Sequence, residues 1–349
     1  MSEPVRGPAR EVAIVAFAQS AHVPDSTGTS EVEMLMPVLH DVLAQADLKA
    51  RDIGFTCSGS SDYLAGRAFS FTMALDGVGA WPPISESHVE MDGAWALYEA
   101  WVKILTGEAD TALVYAYGTS SSGDLREVLT RQLDPYCLAP LWPDSVALAA
   151  LQAQALLDAG LTDARELAAI GARSRGRGPD DGPGRQVVGP LRTGDCPPVV
   201  DGAAAVVLAA GDTARRLTDR PAWIRGLDHR IETHALGVRD LTDSPSTRLA
   251  AERAGAFDAP VELAELHAPF TSQEVVLRRA LRLDAPGGTV RVNPSGGALA
   301  ANPMMAAGLI RLGAAAAAVQ RGEVDRALAH ATSGPCLQQN LVAVLEGER

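Results

Sequence analysis

Residues 289–311 read T-V-R-V-N-P-S-G-G-A-L-A-A-N-P-M-M-A-A-G-L-I-R, and how this stretch is parsed decides the fold. It opens on a β-branched run (Thr289, Val290, Val292), breaks at Asn293-Pro294-Ser295-Gly296-Gly297 and continues apolar from Met304. The break has turn composition, because Gly and Asn tolerate positive φ and Pro removes a donor. Asn302 followed by Pro303 reads as a helix start, a capping side chain and then a residue whose missing N–H costs nothing there. A strand passed through a glycine pair into a helix N-terminus predicts free backbone N–H groups around a cavity. Such a cavity suits a phosphate or a developing oxyanion. The same composition also fits a tight strand-to-helix turn with no ligand.

Working outward, the strand–turn–helix grammar recurs. Apolar runs at 11–18, 53–59, 87–91, 111–118 and 199–210 predict strands, and helical spacing appears over 31–46, 65–74, 93–106, 144–159 and 163–173. Ser30 and Glu33 have the spacing of a capping box. Beyond residue 211 the pattern returns, with strands at 222–226, 261–267, 289–293, 326–332 and 341–345 and helices at 246–256, 271–283 and 304–320. Residues 119–143 and 173–196 read as loops, the second exposed and rich in Gly, Pro, Arg and Asp. Strands alternating with helices argue for parallel sheets covered by helices, and two similar halves argue for a duplicated α/β unit.

The bulk properties exclude several classes. A chain of 349 residues carries roughly two domains. Its net charge of −13 disfavours nucleic acid and anionic membrane, because no basic patch is present to release counterions. No apolar run reaches the length of a membrane span, and the polar residues 1–10 do not resemble a signal peptide. The expectation is a cytoplasmic protein with reduced thiols. Its four cysteines lie far apart, and His229 and His234 flank no carboxylate cluster of helical spacing, so no metal site is predicted. The two lysines, Lys49 and Lys103, sit in charged or helical contexts, against Schiff-base chemistry.

The stretch N-P-S-G-G-A-L-A-A-N-P resembles the thiolase signature N-x-x-G-G-x-x-x-x-x-H-P, with Asn302 where that family has an oxyanion-hole His. D-G-A-A-A, starting at Asp201, is similar to the end of the thiolase first half. E-L-H-A-P-F-T at 265–271 resembles the H-D-x-F motif of the sterol-carrier branch, with His267 kept and Ala268 replacing the Asp. H-A-T-S-G-P-C-L-Q-Q-N at 330–340 stands where thiolases show C-x-G-G-G. Counting back from the strand ending at Gly118, the nucleophilic Cys position falls on Asp92 within V-E-M-D-G-A-W-A. The resemblance covers nearly the whole chain. It implies a duplicated thiolase fold, five-layer α-β-α-β-α, with halves at 1–210 and 211–349. The short loop after Gly118 is similar to that of the thiolase-like lipid-transfer proteins of steroid side-chain catabolism.

The departures from the family pattern set the expected chemistry. An Asp at a helix N-terminus is a good cap, worth about 1 kcal/mol, but a poor acyl acceptor, since its thioester adduct would be an anhydride. Asp92 is therefore a site residue by position and a cap by chemistry. His267, ending a strand at the expected cavity, is either structural or a general base or hydrogen-bond donor, its unperturbed pKa about 6.5. Asn293, Ser295, Gly296, Gly297, Asn302, Ser333 and Gly334 are the candidates to bind the thioester and its coenzyme A. Cys336, two residues past the aligned position, reads as a small buried hydrophobe. By resemblance, the function is retro-aldol cleavage of a β-hydroxyacyl-CoA without covalent Cys catalysis. It would need no cofactor beyond the coenzyme A thioester substrate. The expected partners are a second thiolase-like chain, homo- or heterodimeric, and an OB-fold, zinc-ribbon protein. All five Tyr precede residue 140, whereas such relatives use Tyr in the second half. That leaves an alternative, a non-catalytic thiolase-shaped subunit that stabilises a catalytic sister chain.

Overall fold

The computed structural model describes residues 10–81, 83–176, 182, 184–284 and 289–348. The first half supplies β1 (Val12–Gln19), β2 (Phe55–Gly59), β3 (Glu86–Val89), β4 (Thr111–Gly118) and β7 (Gly202–Ala210), with a separate hairpin of β5 (Gln186–Val188) and β6 (Leu191–Arg192). The second half supplies β8 (Ala222–Ile231), β9 (Leu263–Leu266), β10 (Arg291–Val292), β11 (Arg326–Ser333) and β12 (Gln339–Glu346). Hydrogen bonds join ten of these in the order β10-β9-β11-β12-β8-β1-β7-β4-β2-β3. Leaving the hairpin aside and numbering the strands within each half, both halves have the order 3-2-4-5-1. In both, the second strand lies parallel to the third and fourth, and the fifth runs antiparallel to both its neighbours. The duplication is thus written in the topology. The expected all-parallel sheets are instead mixed, because the fifth strand of each half reverses direction. The halves meet at β1 and β8, where Ala13 pairs with Trp223 and Ile14 with Ala222.

Three helices recur at matching places. They are Glu31–Gln45 and Pro245–Arg253 after the first strand, Phe71–Val78 and Thr271–Ala280 after the second, and Gly93–Leu105 and Ala307–Gln320 after the third. The last pair lies between the sheets, where Leu97, Ile104, Leu309 and Leu312 share one core with Val114, Val206, Ala329 and Leu345. Leu35 and Leu39 cover the outer face of the first sheet against Leu113, Tyr115 and Val207. Val276 and Leu277 cover the outer face of the second against Leu328, Val342 and Val344. The result is the five-layer α-β-α-β-α arrangement. The central layer is tight. A Cβ on Gly313 would lie 2.1 Å from the Phe17 ring, and one on Gly93 2.6 Å from Ala116 Cβ, so only glycine fits there.

Local chemistry sets the element ends. Ser30 N–H donates to Glu33 Oε2 at 2.8 Å and Glu33 N–H to Ser30 Oγ at 3.2 Å, the reciprocal capping box read from the sequence. The helix expected over 65–74 is two pieces, Asp62–Ala65 and Phe71–Val78, the first ended by Gly66 at φ +69°. The expected loop 119–143 contains the helix Leu125–Arg131, and a further short helix, Gly211–Leu217, follows β7. The expected loop 173–196 ends in the β5–β6 hairpin, while its residues 177–181 and 183, like residues 1–9 at the start, lie outside the described residues. Among the described residues, no helix is long and apolar enough to cross a membrane.

Candidate functional site

β9 ends at Leu266, so the next residue, His267, is delivered to the rim of the second sheet; its N–H donates to the His330 carbonyl at 3.1 Å. The residue is 6% exposed. Thr332 N–H lies 3.4 Å from His267 Nδ1, and Asn302 Oδ1 lies 3.0 Å from Nε2. A backbone N–H can only donate, so Nδ1 is the acceptor and Nε2 carries the proton that Asn302 Oδ1 receives. Burial, reinforced by the nearby His330 and opposed by the Asn302 bond, lowers the His267 pKa to about 3. That is well below the unperturbed value of about 6.5. His267 is a neutral imidazole across the physiological range and a weak base.

Asn302 does not cap the last helix, contrary to the sequence expectation. That helix starts at Ala307, after a turn in which Ala306 and Ala307 N–H donate to the Pro303 carbonyl at 3.1 and 2.9 Å. The Asn302 side chain turns to His267 instead, and among the described residues its Nδ2 meets only Met304 Sδ, a weak acceptor at 3.6 Å. The 302–306 segment is pinned from the first half. Gly93 N–H donates to Met305 O at 2.8 Å, and Met304 N–H to Ser120 Oγ at 3.4 Å.

Asp92 sits at the start of the helix Gly93–Leu105, where counting along the strands places it, and it is buried. Its Oδ1 accepts from Ala94 N–H at 2.9 Å and Leu309 N–H at 3.0 Å; its Oδ2 accepts from Gly308 N–H at 2.8 Å. One carboxylate therefore caps both central helices at once. Burial pushes its pKa up to about 6, against the pull of the three N–H donors. With both oxygens engaged, Asp92 is a clamp in this structure, not a nucleophile.

The N-P-S-G-G turn differs most from its reading. Asn293 Oδ1 accepts from Leu266 N–H at 2.6 Å, and its Nδ2 donates to Glu274 Oε2 at 3.0 Å; Glu274 in turn pairs with Arg173. Ser295 donates to Glu265 through N–H at 3.0 Å and through Oγ at 2.7 Å. Glu265 forms a buried ion pair with Arg311 at 2.8 Å. Gly297 N–H lies 3.3 Å from Ser295 Oγ, and Gly296 N–H bonds the Asn293 carbonyl at 2.9 Å. A Cβ on Gly297 would sit 2.9 Å from the Asn293 side chain. The donors expected to cradle an oxyanion are consumed by two buried carboxylates and by the turn itself. The sequence signal was present, since Arg311 is a lone charge within L-I-R-L and marks a buried partner.

Ser333 and Gly334 follow Thr332 at the end of β11, Ser333 half-buried and Gly334 exposed at φ +74°. Arg239 holds the loop after them through the carbonyls of Pro335, Cys336 and Leu337. Cys336 is buried, its Sγ 3.3 Å from Leu148 O, and burial pushes its thiol up to about 11. A shallow cavity of about 410 Å³ is lined by Asp25, Ser121, Asp124 and Arg126 among others, and by none of His267, Asn302 or Asp92. The structure therefore gathers His267, Asn302 and Thr332 into one cluster beside the Asp92 clamp. It leaves Asn293, Ser295, Gly296 and Gly297 as the packed support behind that cluster.

No family model matches the chain. It is 33% identical over 143 residues to an acetyl-CoA acetyltransferase of Methanothermobacter thermautotrophicus, a match covering 35% of this chain and 37% of that protein. It is 34% identical over 116 residues to the 3-oxoadipyl-CoA/3-oxo-5,6-dehydrosuberyl-CoA thiolase of Escherichia coli, covering 32% of this chain and 27% of that one. The chain thus spans about a third of the length of the curated relatives it matches. Among solved structures it is similar to human mitochondrial 3-ketoacyl-CoA thiolase (16% identity, TM-score 0.76, covering 97% of this chain and 99% of that one). The Ltp2-ChsH2(DUF35) aldolase is equally similar (18%, TM-score 0.76, 97% and 98%), as is the Bacillus anthracis acetyl-CoA acetyltransferase (15%, TM-score 0.77, 97% and 99%). The chain has the thiolase fold.

Proposed function

We propose that this chain is an acyl-CoA-handling subunit of a carbon–carbon lyase complex, cleaving a β-hydroxyacyl-CoA, such as a steroid side chain, by retro-aldol reaction. The observation that carries this reading is Asp92. The start of the central helix, where a thiolase-type thiol would stand, holds a carboxylate with both oxygens bound to N–H groups. Chemistry without a covalent acyl-enzyme remains. In that reaction a base takes the β-hydroxyl proton, the Cα–Cβ bond breaks, and its electrons move into the thioester carbonyl as an enolate. The carbonyl product leaves, and Cα is then protonated. The lasting need is a donor for the enolate oxygen.

Asn302 Nδ2 is the donor we assign. His267 is its positioning residue, holding Oδ1 through Nε2–H so that the amide has one orientation. His267, whose burial lowers its pKa to about 3, is read as this positioning residue in place of the general base. The base is then a group outside the His267–Asn302 cluster. The Ltp2-ChsH2(DUF35) aldolase, which has the same fold, supports a heteromeric complex. For this chain the proposed partners are a homo- or heterodimeric thiolase-like chain and an OB-fold, zinc-ribbon protein, in the cytoplasm. A second reading, the non-catalytic scaffold, is favoured by the burial and mutual bonding of His267, Asn302 and Asp92.

The test is to purify the chain with its co-expressed neighbours and follow release of the carbonyl fragment from a β-hydroxyacyl-CoA. Turnover with no acyl adduct on any residue by mass spectrometry is the expected result. A trapped acyl-enzyme, or thiolysis of acetoacetyl-CoA, would overturn it.

A further inference from the structure

Asp134, Cys137 and His234 are unused by the chemistry above, yet they converge. Asp134 and Cys137 lie in the D-P-Y-C segment after the helix Leu125–Arg131, and His234 follows β8 in the second half. One ligand atom from each, a carboxylate oxygen, the Cys137 Sγ and an imidazole nitrogen, all lie within 4.8 Å of one another. The geometry has a built-in orientation. Asp134 Oδ2 accepts from the N–H groups of Cys137 and Leu138, which folds the thiol back beside the carboxylate. Asp134 Oδ1 is left facing His234 Nε2 at 3.3 Å.

We infer that Asp134, Cys137 and His234 form a zinc site with three protein ligands and a fourth position open to water. The His–Asp ion pair alone accounts for two of the three groups, and the Cys137 thiol lies against the same carboxylate. A bound dication favours the thiolate, and the thiol proton is released to solvent as the metal binds. One thiolate, one carboxylate and one neutral imidazole would together balance a 2+ charge. A sulfur–nitrogen–oxygen donor set fits zinc better than magnesium or calcium, which want oxygen alone. The linear sequence hid the site. Cys137 has no cysteine near it, and its histidine lies almost a hundred residues on, brought close only when the two halves fold together. The metal would staple the 124–144 segment of the first half to the loop after β8. That loop is itself tied to the β11–β12 turn, through Glu232 N–H to Gln338 O at 2.8 Å.

The experiment uses the full chain stripped with EDTA and titrated with Zn²⁺, then with Co²⁺ as a spectroscopic probe. One zinc per chain is expected, with a near-ultraviolet sulfur-to-cobalt charge-transfer band. Cys137→Ser should abolish that band, and Asp134→Ala and His234→Ala should weaken zinc by more than about 100-fold, beyond the effect typical of merely supporting groups. Cys196→Ser, in a thiol outside the cluster, should leave binding unchanged. Thermal melts in EDTA should match for Cys137→Ser and His234→Ala, which separates ligand loss from misfolding. No zinc binding, binding insensitive to Asp134 and His234, or a band that survives Cys137→Ser would overturn the assignment.

Discussion

The two halves share one topology and diverge at the same end of it. In the first half β2 ends at Gly59 opposite Ala116, and in the second β9 ends at Leu266 opposite His330. By that register His267 takes the place of Ser60, and Thr332 the place of Gly118. The first-half copies are small and packed shut: a Cβ on Gly118 would lie 1.9 Å from Met304 O, and Ser60 is buried with its Oγ 3.4 Å from Ser70 Oγ. The second-half copies carry the polar groups. A duplicated scaffold has been divided by size, with one copy contributing closeness and the other side chains. The Asp92 clamp, which takes N–H groups from both central helices, holds the copies in register.

That division can be broken most severely by copying one half onto the other. Gly118→Thr installs the second-half residue where the 302–306 segment presses, and it should cost about 3 kcal/mol or more by overpacking. Urea unfolding measures this; a loss under about 1 kcal/mol would mean that the segment yields freely. Asp92→Ala leaves three buried N–H groups without acceptors and should cost about 3 kcal/mol, with Asp92→Asn intermediate. Equal stability of Asp92→Ala and the parent would remove the clamp from the account.

The polar second half should also confer a pH signature. Burial lowers His267 to about 3 and His330 to about 4, both from 6.5. The unfolded chain therefore takes up these protons first as pH falls. The stability from the neutral imidazoles is complete above about pH 6.5 and is lost progressively toward pH 4 and 3, by about 2 kcal/mol per histidine at pH 5. Asp92, raised to about 6 from 3.8, acts oppositely, its ionisation costing stability as pH rises through that window. Unfolding free energies at pH 5 and 7 should show a net loss on acidification, and His330→Gln should flatten the slope. A slope of the opposite sign would mean the imidazoles are solvated. The smallest effect concerns His267→Gln in the assembled complex. Gln keeps an N–H for Asn302, so turnover should fall only about tenfold with an unchanged acidic limb of the pH profile. Loss of that limb, with a fall of about 10² to 10⁴, would restore the general-base role.

Much of this was legible in the sequence. The Ser30–Glu33 box, the strand at 111–118 and the repeat of elements after residue 211 came from local pattern and needed no tertiary knowledge. His267 and Asn302 were each singled out by the family resemblance, since 35 residues separate the pair and no periodicity links them. The Gly296–Gly297 turn misled for a physical reason. Free N–H donors were inferred from composition, but the carboxylates that consume them, Glu265 and Glu274, belong to other elements. The Cys137–His234 cluster was illegible because it forms only across the two halves.

Turnover of the assembled complex with Asn302→Ala tests the central claim most directly, because it removes the proposed enolate donor and leaves His267 in place. If the second half holds the working site, retro-aldol turnover should fall by about 10² to 10³, as for loss of one oxyanion donor, with the complex still assembled by sedimentation. Unchanged turnover in an intact complex would contradict this account and make the chain a scaffold.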